Sequence, residues 1–505
     1  MCETFERKSY PWISSPIPDL NNLASPIDPQ NCSSTTQKNI ANFLAATLLL
    51  TFNTRTLKYL IALIAFTISI HSQAQAVKVE VRQTPKGWEM LRDGKPYYVK
   101  GAGGDTHLDV VVNIGGNSIR TWGVEEAQTI LDNAQKHGLT VMLGMWLQHE
   151  RHGFDYSNKA KVEKQLNHFK SVIDQFKNHP ALLMWGIGNE VDLFYSNTRV
   201  WDAIQDIAKY AHQVDPNHPT STVTAGLDSM EVALIKQKAP DIDVYCVNTY
   251  GDIGNVPYNI RKWGWTGPYM ITEWGPNGHW ESPTTPWGAA IEQSSLEKAE
   301  VYNKRYTNYI AANPNDCIGS YVFLWGQKQE YTLTWYGLFT KEGKPTQAID
   351  ALQIAWSSQD PTTSTPSITN LFINGKNAYS GLHVPANSIN KAFADAYLIQ
   401  YNRTPNDTNN LHCSWKILAE SNDKKAGGDL ENEASEIPGL IKKGKTKQIQ
   451  FKAPNEEGAY RLFVTIEYQN KIAYANYPFY VDASANSTKP KAIRVKKFTM
   501  DSFNP

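Results

Sequence analysis

Between residues 77 and 356 the chain alternates between two hydrophobic patterns. One is a short, nearly continuous apolar run, the mark of a strand buried on both faces; the other is a longer stretch with helical spacing. The pattern opens on a predicted hairpin, Val77–Val81 and Trp88–Leu91, before the turn Asp93-Gly94. Strands are then predicted at Tyr97–Gly101, Asn117–Thr121, Leu139–Met145, from Ala181, and at Thr220–Ala225, Val244–Thr249, Tyr269–Glu273 and Ile318–Trp325. Helices are predicted at Glu125–His137, with Gly138 as a C-cap signal, near Lys159–Lys177, and at Val200–Val214, Asp228–Lys238, Ser295–Ala312 and Thr346–Trp356. Eight strands with helices between them over about 260 residues match the size of an α/β (β/α)8 TIM barrel.

Beyond the barrel the period changes. Residues 357–366, Ser-Ser-Gln-Asp-Pro-Thr-Thr-Ser-Thr-Pro, read as a linker. Short alternating segments separated by turn residues recur over 367–482, the pattern of an immunoglobulin-like β-sandwich. Within it the polar stretch Lys424–Glu433 is expected to be a solvated loop, and 483–505 a solvated tail rich in lysine. The sandwich is expected either to stabilise the barrel or to bind polysaccharide.

Residues 1–76 precede the barrel as an extension and signal peptide. Arg55-Thr56-Leu57-Lys58, the apolar run Tyr59–Ile70 and the end Ala74-Gln75-Ala76 have the order of a secretory signal, with cleavage after Ala76. The expected location is therefore secreted or periplasmic. An uncleaved anchor is the rival, and the one route by which the chain would meet a membrane.

Composition removes several function classes. Lys+Arg and Asp+Glu both number 49, so there is no excess charge to attract nucleic acid. Five cysteines without a CxxC pair or regular spacing argue against a zinc site or disulfide framework, and no metal or organic cofactor is implied. The chain is rich in aromatics, with 15 Trp and 25 Tyr, and aromatic rings suit the apolar faces of sugars. Oligomeric state is not legible.

The chemistry concentrates at two strand ends. Ala181 to Trp185 is an apolar run that passes through Gly186-Ile187-Gly188 into Asn189-Glu190, and Tyr269–Thr272 runs into Glu273-Trp274-Gly275. A residue ending a barrel strand lies on the catalytic face. Two carboxyls there, one protonated and one ionised, are what a retaining glycosidase needs. Arg120, at the end of the second strand, is the cation expected to keep Glu273 ionised and oriented. Trp146 and His149 after the third strand, Trp274 after Glu273, and Trp325 at the end of the eighth strand are further candidate sugar contacts. Long loops after the seventh and eighth strands, with His279, Trp280 and Glu281 in the first and Gln327 to Trp335 in the second, read as walls of a cleft for several sugar units.

Four segments carry a family resemblance: Gly116-Asn117-Ser118-Ile119-Arg120-Thr121-Trp122, Trp185-Gly-Ile-Gly-Asn189-Glu190, Val247-Asn248-Thr249-Tyr250 and Ile271-Thr272-Glu273-Trp274. Together they resemble clan A glycoside hydrolases, above all the catalytic barrel of glycoside hydrolase family 2, over roughly residues 96–356. The resemblance implies that Glu190 is the general acid/base and Glu273 the nucleophile. It also implies that Asn189 holds the sugar 2-hydroxyl and that Tyr250 hydrogen-bonds Glu273. The large amino-terminal sandwich typical of that family has no counterpart here, only the 77–95 hairpin. The expected function is retaining hydrolysis of a β-linked polysaccharide, with a β-glucan as the expected substrate. The alternatives are a transglycosylase remodelling the same polymers and a non-catalytic polysaccharide-binding barrel.

Overall fold

The structure, a computed structural model, describes residues 75–401, 411–442 and 444–483. The apolar run 59–70, most of the expected leader, Cys2, Cys32 and the tail from residue 484 lie outside the described residues. Among the described residues no helix is long and apolar enough to cross a membrane.

Strands β1 (Val79–Thr84), β2 (Gly87–Arg92) and β3 (Lys95–Pro96) form a small antiparallel sheet. It closes the amino-terminal end of a barrel. Val79 and Met90 pack into the same cluster as Met142, Met184, Cys246 and Met270 of the barrel interior. Backbone bonds from Val79 to Asn217 and from Trp88 to Asn315 tie the sheet to residues just ahead of two barrel strands.

The barrel follows as β4 (Val99–Gly103), α1 (Leu108–Asn113), β5 (Ser118–Arg120), α2 (Ala127–Lys136), β6 (Thr140–Met145), α3 (Lys159–Phe176), β7 (Leu182–Asn189) and α4 (Arg199–Val214). It continues with β8 (Thr220–Ala225), α5 (Ser229–Lys238), β9 (Val244–Asn248), α6 (Val256–Lys262), β10 (Tyr269–Trp274), α7 (Ser295–Arg305), β11 (Cys317–Val322) and α8 (Gln347–Ser357). The eight strands β4 to β11 pair in sequence order and close, β11 against β4. Helix starts follow local chemistry. Ser294 and Glu297 form a reciprocal capping box at α7, satisfying donors that the first turn leaves free. The eighth strand ends at Val322, three residues short of the sequence expectation.

Beyond α8 two sheets face each other. One orders β12 (Thr365–Ile373), β14 (Ile389–Ile399) and β16 (Gln448–Lys452); the other orders β13 (His383–Pro385), β18 (Lys471–Asp482), β17 (Gly458–Tyr468) and β15 (His412–Ala419). Along β14 every second residue is buried, so Ala392, Ala394, Ala396 and Leu398 face the opposite sheet. This is a β-sandwich.

The sandwich is bolted to the barrel through buried charge. Glu292 of the barrel accepts from Lys298 (2.5 Å), from Thr332 (2.6 Å) and from Asn476 of β18 (2.5 Å). Arg461 of β17 donates to the Ala290 carbonyl (2.9 Å), to Asn476 (2.7 Å) and to Glu420 (2.8 Å). Lys471 donates to Asp350 of α8 at 2.7 Å. Cys246, Cys317 and Cys413 are buried free thiols.

Candidate active site

Strand alternation alone would not aim Glu190 and Glu273 at the barrel mouth. On β10, Met270 faces the barrel interior and Ile271 the helices. Continued alternation would turn Glu273 outward and Trp274 inward. Instead the pairing of β10 with both neighbours slips after Ile271, and Glu273 comes opposite Asn248 of β9. A one-residue slip exchanges the two faces of a strand. The same irregularity lies on β7 between Gly186 and Asn189. Past it, Glu190 takes a left-handed backbone, φ 49°, while its N–H still bonds the Val223 carbonyl at 2.9 Å. A non-glycine residue there costs roughly 1–2 kcal/mol, which the surrounding structure must hold.

A single web joins the two glutamates. Arg120 is 2% exposed and donates to Glu273 Oε1 (3.0 Å), the Thr272 carbonyl (2.8 Å), Asn189 Oδ1 (2.5 Å) and, more loosely, Asn248 Oδ1 (3.5 Å). Trp122 Nε1 donates to Glu273 Oε1 at 2.7 Å and Tyr250 Oη to Oε2 at 3.2 Å. Glu273 thus accepts three hydrogen bonds, one of them charge-assisted from a guanidinium. Glu190 has a different environment. Its one side-chain donor is Asn248 Nδ2, at 2.9 Å from Oε1, and the same amide bonds Asn189 at 3.1 Å. Burial first, and then the Glu273 charge, push its pKa up to about 8, with Asn248 opposing. The two carboxyls thus sit in unlike surroundings, Glu273 held by three donors and Glu190 by one.

Both glutamates line one cavity of about 210 Å³. Asn189, Trp146 and Tyr250 line it with them, as do Trp122, Trp280, Phe323 and Leu324. Lys328 and Glu330 from the loop after β11 complete that side. Its volume is below the roughly 300–1,000 Å³ usual for small-molecule sites. Arg120 stands behind Glu273 rather than in the cavity.

Three expected sugar contacts are corrected. Trp274 is fully buried on the helix side, against Tyr302 and Tyr306, because the slip before it turned Glu273 inward. Trp325 lies past the end of β11 and packs on Phe339 and Trp356 under α8; Phe323 and Leu324 take the cavity positions. His149 is 1% exposed and stacks behind Trp146 at 4.7 Å. Burial, aided by Arg151 and His152, lowers its pKa to about 4, so it supports the Trp146 ring as a neutral imidazole. The stretch Lys424–Glu433 is also corrected: it is not a free loop but docks on the barrel mouth, where Gly427 and Gly428 line the cavity. Trp122 was part of a quoted motif, yet its bond to Glu273 had no signal beyond its place after Arg120.

Comparison with known proteins now adds a family. Residues 105–358 match the model described as glycosyl hydrolases family 2, TIM barrel domain. The chain belongs to glycoside hydrolase family 2. Among curated family relatives, a beta-glucuronidase of Paenibacillus borealis is 26% identical over 335 residues, covering 56% of this chain and 52% of the relative. A beta-glucuronidase of Sus scrofa is 21% identical over 300 residues, covering 52% of this chain and 44% of that one. The chain thus spans about half the length of these relatives. The solved beta-D-glucuronidase of Dictyoglomus thermophilum aligns with a TM-score of 0.44 at 19% identity, over 56% of this chain and 54% of that one.

The raised Glu190 pKa has a measurable sign. Below about pH 8 Glu190 carries a proton, and above it that proton is gone. The basic limb of the pH profile of kcat/KM is therefore expected near pH 8. In Glu190→Gln, assayed on an aryl glycoside whose leaving group needs no proton, that limb should vanish. A limb that persists unchanged in the variant would assign it to another group.

Proposed function

We propose that this chain is a retaining β-glycosidase with Glu190 as acid/base and Glu273 as nucleophile. In the first step a Glu273 oxygen bonds to the anomeric carbon as the bond from that carbon to the leaving oxygen breaks. The departing oxygen takes the Glu190 proton. In the second step Glu190, now ionised, takes a proton from water while the water oxygen attacks the same carbon and Glu273 leaves as a carboxylate. Two displacements return the starting configuration. Asn189, fixed by Arg120 and Asn248, is the group for the sugar 2-hydroxyl. The observation that carries the reading is the asymmetry of the pair: three donors on Glu273, one on Glu190.

For the sugar itself we infer a neutral β-linked glycan, with a β-glucan as the working substrate. The two curated relatives described above are named for glucuronides, and a glucuronate would bring a second negative charge into the cavity. Among the described residues lining it, Glu190, Glu273 and Glu330 are acids and Lys328 is the one cation. Lys328 is already bonded to Glu330 at 3.1 Å and to the Gly428 carbonyl. An aryl β-glucoside is therefore expected to exceed the matching glucuronide in kcat/KM by at least about 100-fold, the scale of ~2–3 kcal/mol for an unpaired charge. Proton NMR of the first-formed sugar should show the β anomer. An α anomer sinks the retaining assignment, and a preferred glucuronide sinks the neutral-sugar reading.

A further inference from the structure

The sandwich stretch 424–433 spans the barrel mouth. Arg151, after the third barrel strand, grips Asp429 with both guanidinium nitrogens, Nη1 to Oδ2 at 2.8 Å and Nη2 to Oδ1 at 3.2 Å. His152 adds a contact to Asp429 at 3.1 Å. On the far side Lys328, after the eighth strand, donates to the Gly428 carbonyl, and Glu431 accepts from the Tyr331 N–H at 2.6 Å. Between these anchors Gly427 and Gly428 run along the cavity with φ of +63° and +71°. A Cβ on Gly427 would stand 2.6 Å from Leu193, just after Glu190, and one on Gly428 2.9 Å from the Lys328 amine. A side chain at either position would displace these side-chain ends and strain a left-handed backbone that glycine adopts freely. On the seventh-strand side Trp280 stands at the rim, 60% exposed and edge-on to Tyr250 at 5.8 Å.

We propose that sandwich residues 426–429 form a wall of the sugar-binding cavity, clamped by the Arg151–Asp429 pair, and that this wall admits a glycan only by its end. The inference rests on the glycosidase reading for its substrate class, but not for its geometry. A glycan running through the mouth would have to cross the bridge from Arg151 and Leu193 to Lys328. With that side closed, the chain enters past Trp280, whose exposed ring suits the apolar face of a sugar. The anchor is a bidentate, charge-assisted pair with the Arg151 side chain only 10% exposed, the kind that fixes position as well as adding affinity.

The test uses the full chain with Asp429→Ala, Arg151→Ala and both together, each checked for an unchanged melting temperature. Binding of methyl β-glucoside, measured by calorimetry, should weaken about five- to twentyfold in Asp429→Ala, the scale of one lost charged hydrogen-bond pair. For an aryl β-glucoside the same factor should fall on KM, with kcat within about threefold. The double variant should be no worse than either single one, because the two residues act as a pair, and Asp429→Glu should recover part of the loss. On a soluble β-glucan the natural protein should release sugar without lowering viscosity, and Asp429→Ala should begin to lower it. Equal affinity for methyl β-glucoside in natural protein and Asp429→Ala overturns the wall, as does a natural protein that thins the polymer from the start. Absence of aryl glucoside turnover in the natural protein, with the binding difference intact, overturns the glycosidase reading and leaves the wall standing.

Discussion

Glu273→Ala is expected to lose turnover by roughly 10⁴–10⁶-fold on every glycoside, since no covalent intermediate can form without it. Azide should restore part of that turnover by entering the space left by the side chain, and the product should be the α-glycosyl azide. Glu190→Ala should behave differently. The acid/base contribution is about 10²–10⁴-fold for a natural leaving group. An aryl glycoside with a good leaving group should still load Glu273, and the glycosyl-enzyme should accumulate because water has lost its base. Azide should release it as the β-glycosyl azide. Stereochemistry of the two azides by NMR, with mass spectrometry of the trapped Glu190→Ala enzyme, reads both roles at once. Near-natural activity in either variant, or the same anomer from both, would remove the assignment. The structural basis for the contrast is that Glu273 is built into the Arg120, Trp122 and Tyr250 web, whereas Glu190 has Asn248 alone.

Ending the chain at residue 356 should be as damaging, although the Ser/Thr/Pro stretch after it reads as a place to cut. Removal of the sandwich takes Asn476 and Tyr474 from the Glu292–Lys298 centre, which is buried at 6% and 3% exposure. It also takes Lys471 from Asp350. Stripping one partner from a buried charged pair typically costs about 3–5 kcal/mol, against a total stability of about 5–15 kcal/mol for a domain. The truncated barrel is therefore expected to aggregate or to unfold without a cooperative transition, measured by size-exclusion chromatography and thermal melting. A monomeric 77–356 fragment with a melting temperature within a few degrees of the full chain would contradict this.

The barrel was readable because its strands are enclosed on both faces and so appear as unbroken apolar runs; β8, predicted at Thr220–Ala225, is found there. The short helices Leu108–Asn113 and Val256–Lys262 have too few turns to show a helical period, and were not anticipated. The two glutamates stood out because a charge directly after an apolar strand has few places to be except the strand's end. Trp274 and Trp325 misled for one reason: strand parity decides which side a ring takes. A slip after Ile271 and the early end of β11 changed the parity without leaving a mark in residue type. The stretch 424–433 was unreadable in another way. Its acids and lysines look solvated until Arg151, nearly 280 positions earlier, is placed beside Asp429.

The bridge across the barrel mouth also orders events during synthesis. The ribosome delivers the eight barrel strands, both glutamates and Arg120 before any sandwich residue, and domains tend to fold as they emerge. The pocket beside Glu190 nevertheless stays open on one side until Gly427 and Gly428 arrive. The Glu292 centre waits longer still, for Asn476 midway along β18. A nascent chain thus holds its reacting groups well before it holds a finished site, and β18, the last of the described strands to be made, completes the anchorage of the first domain to form.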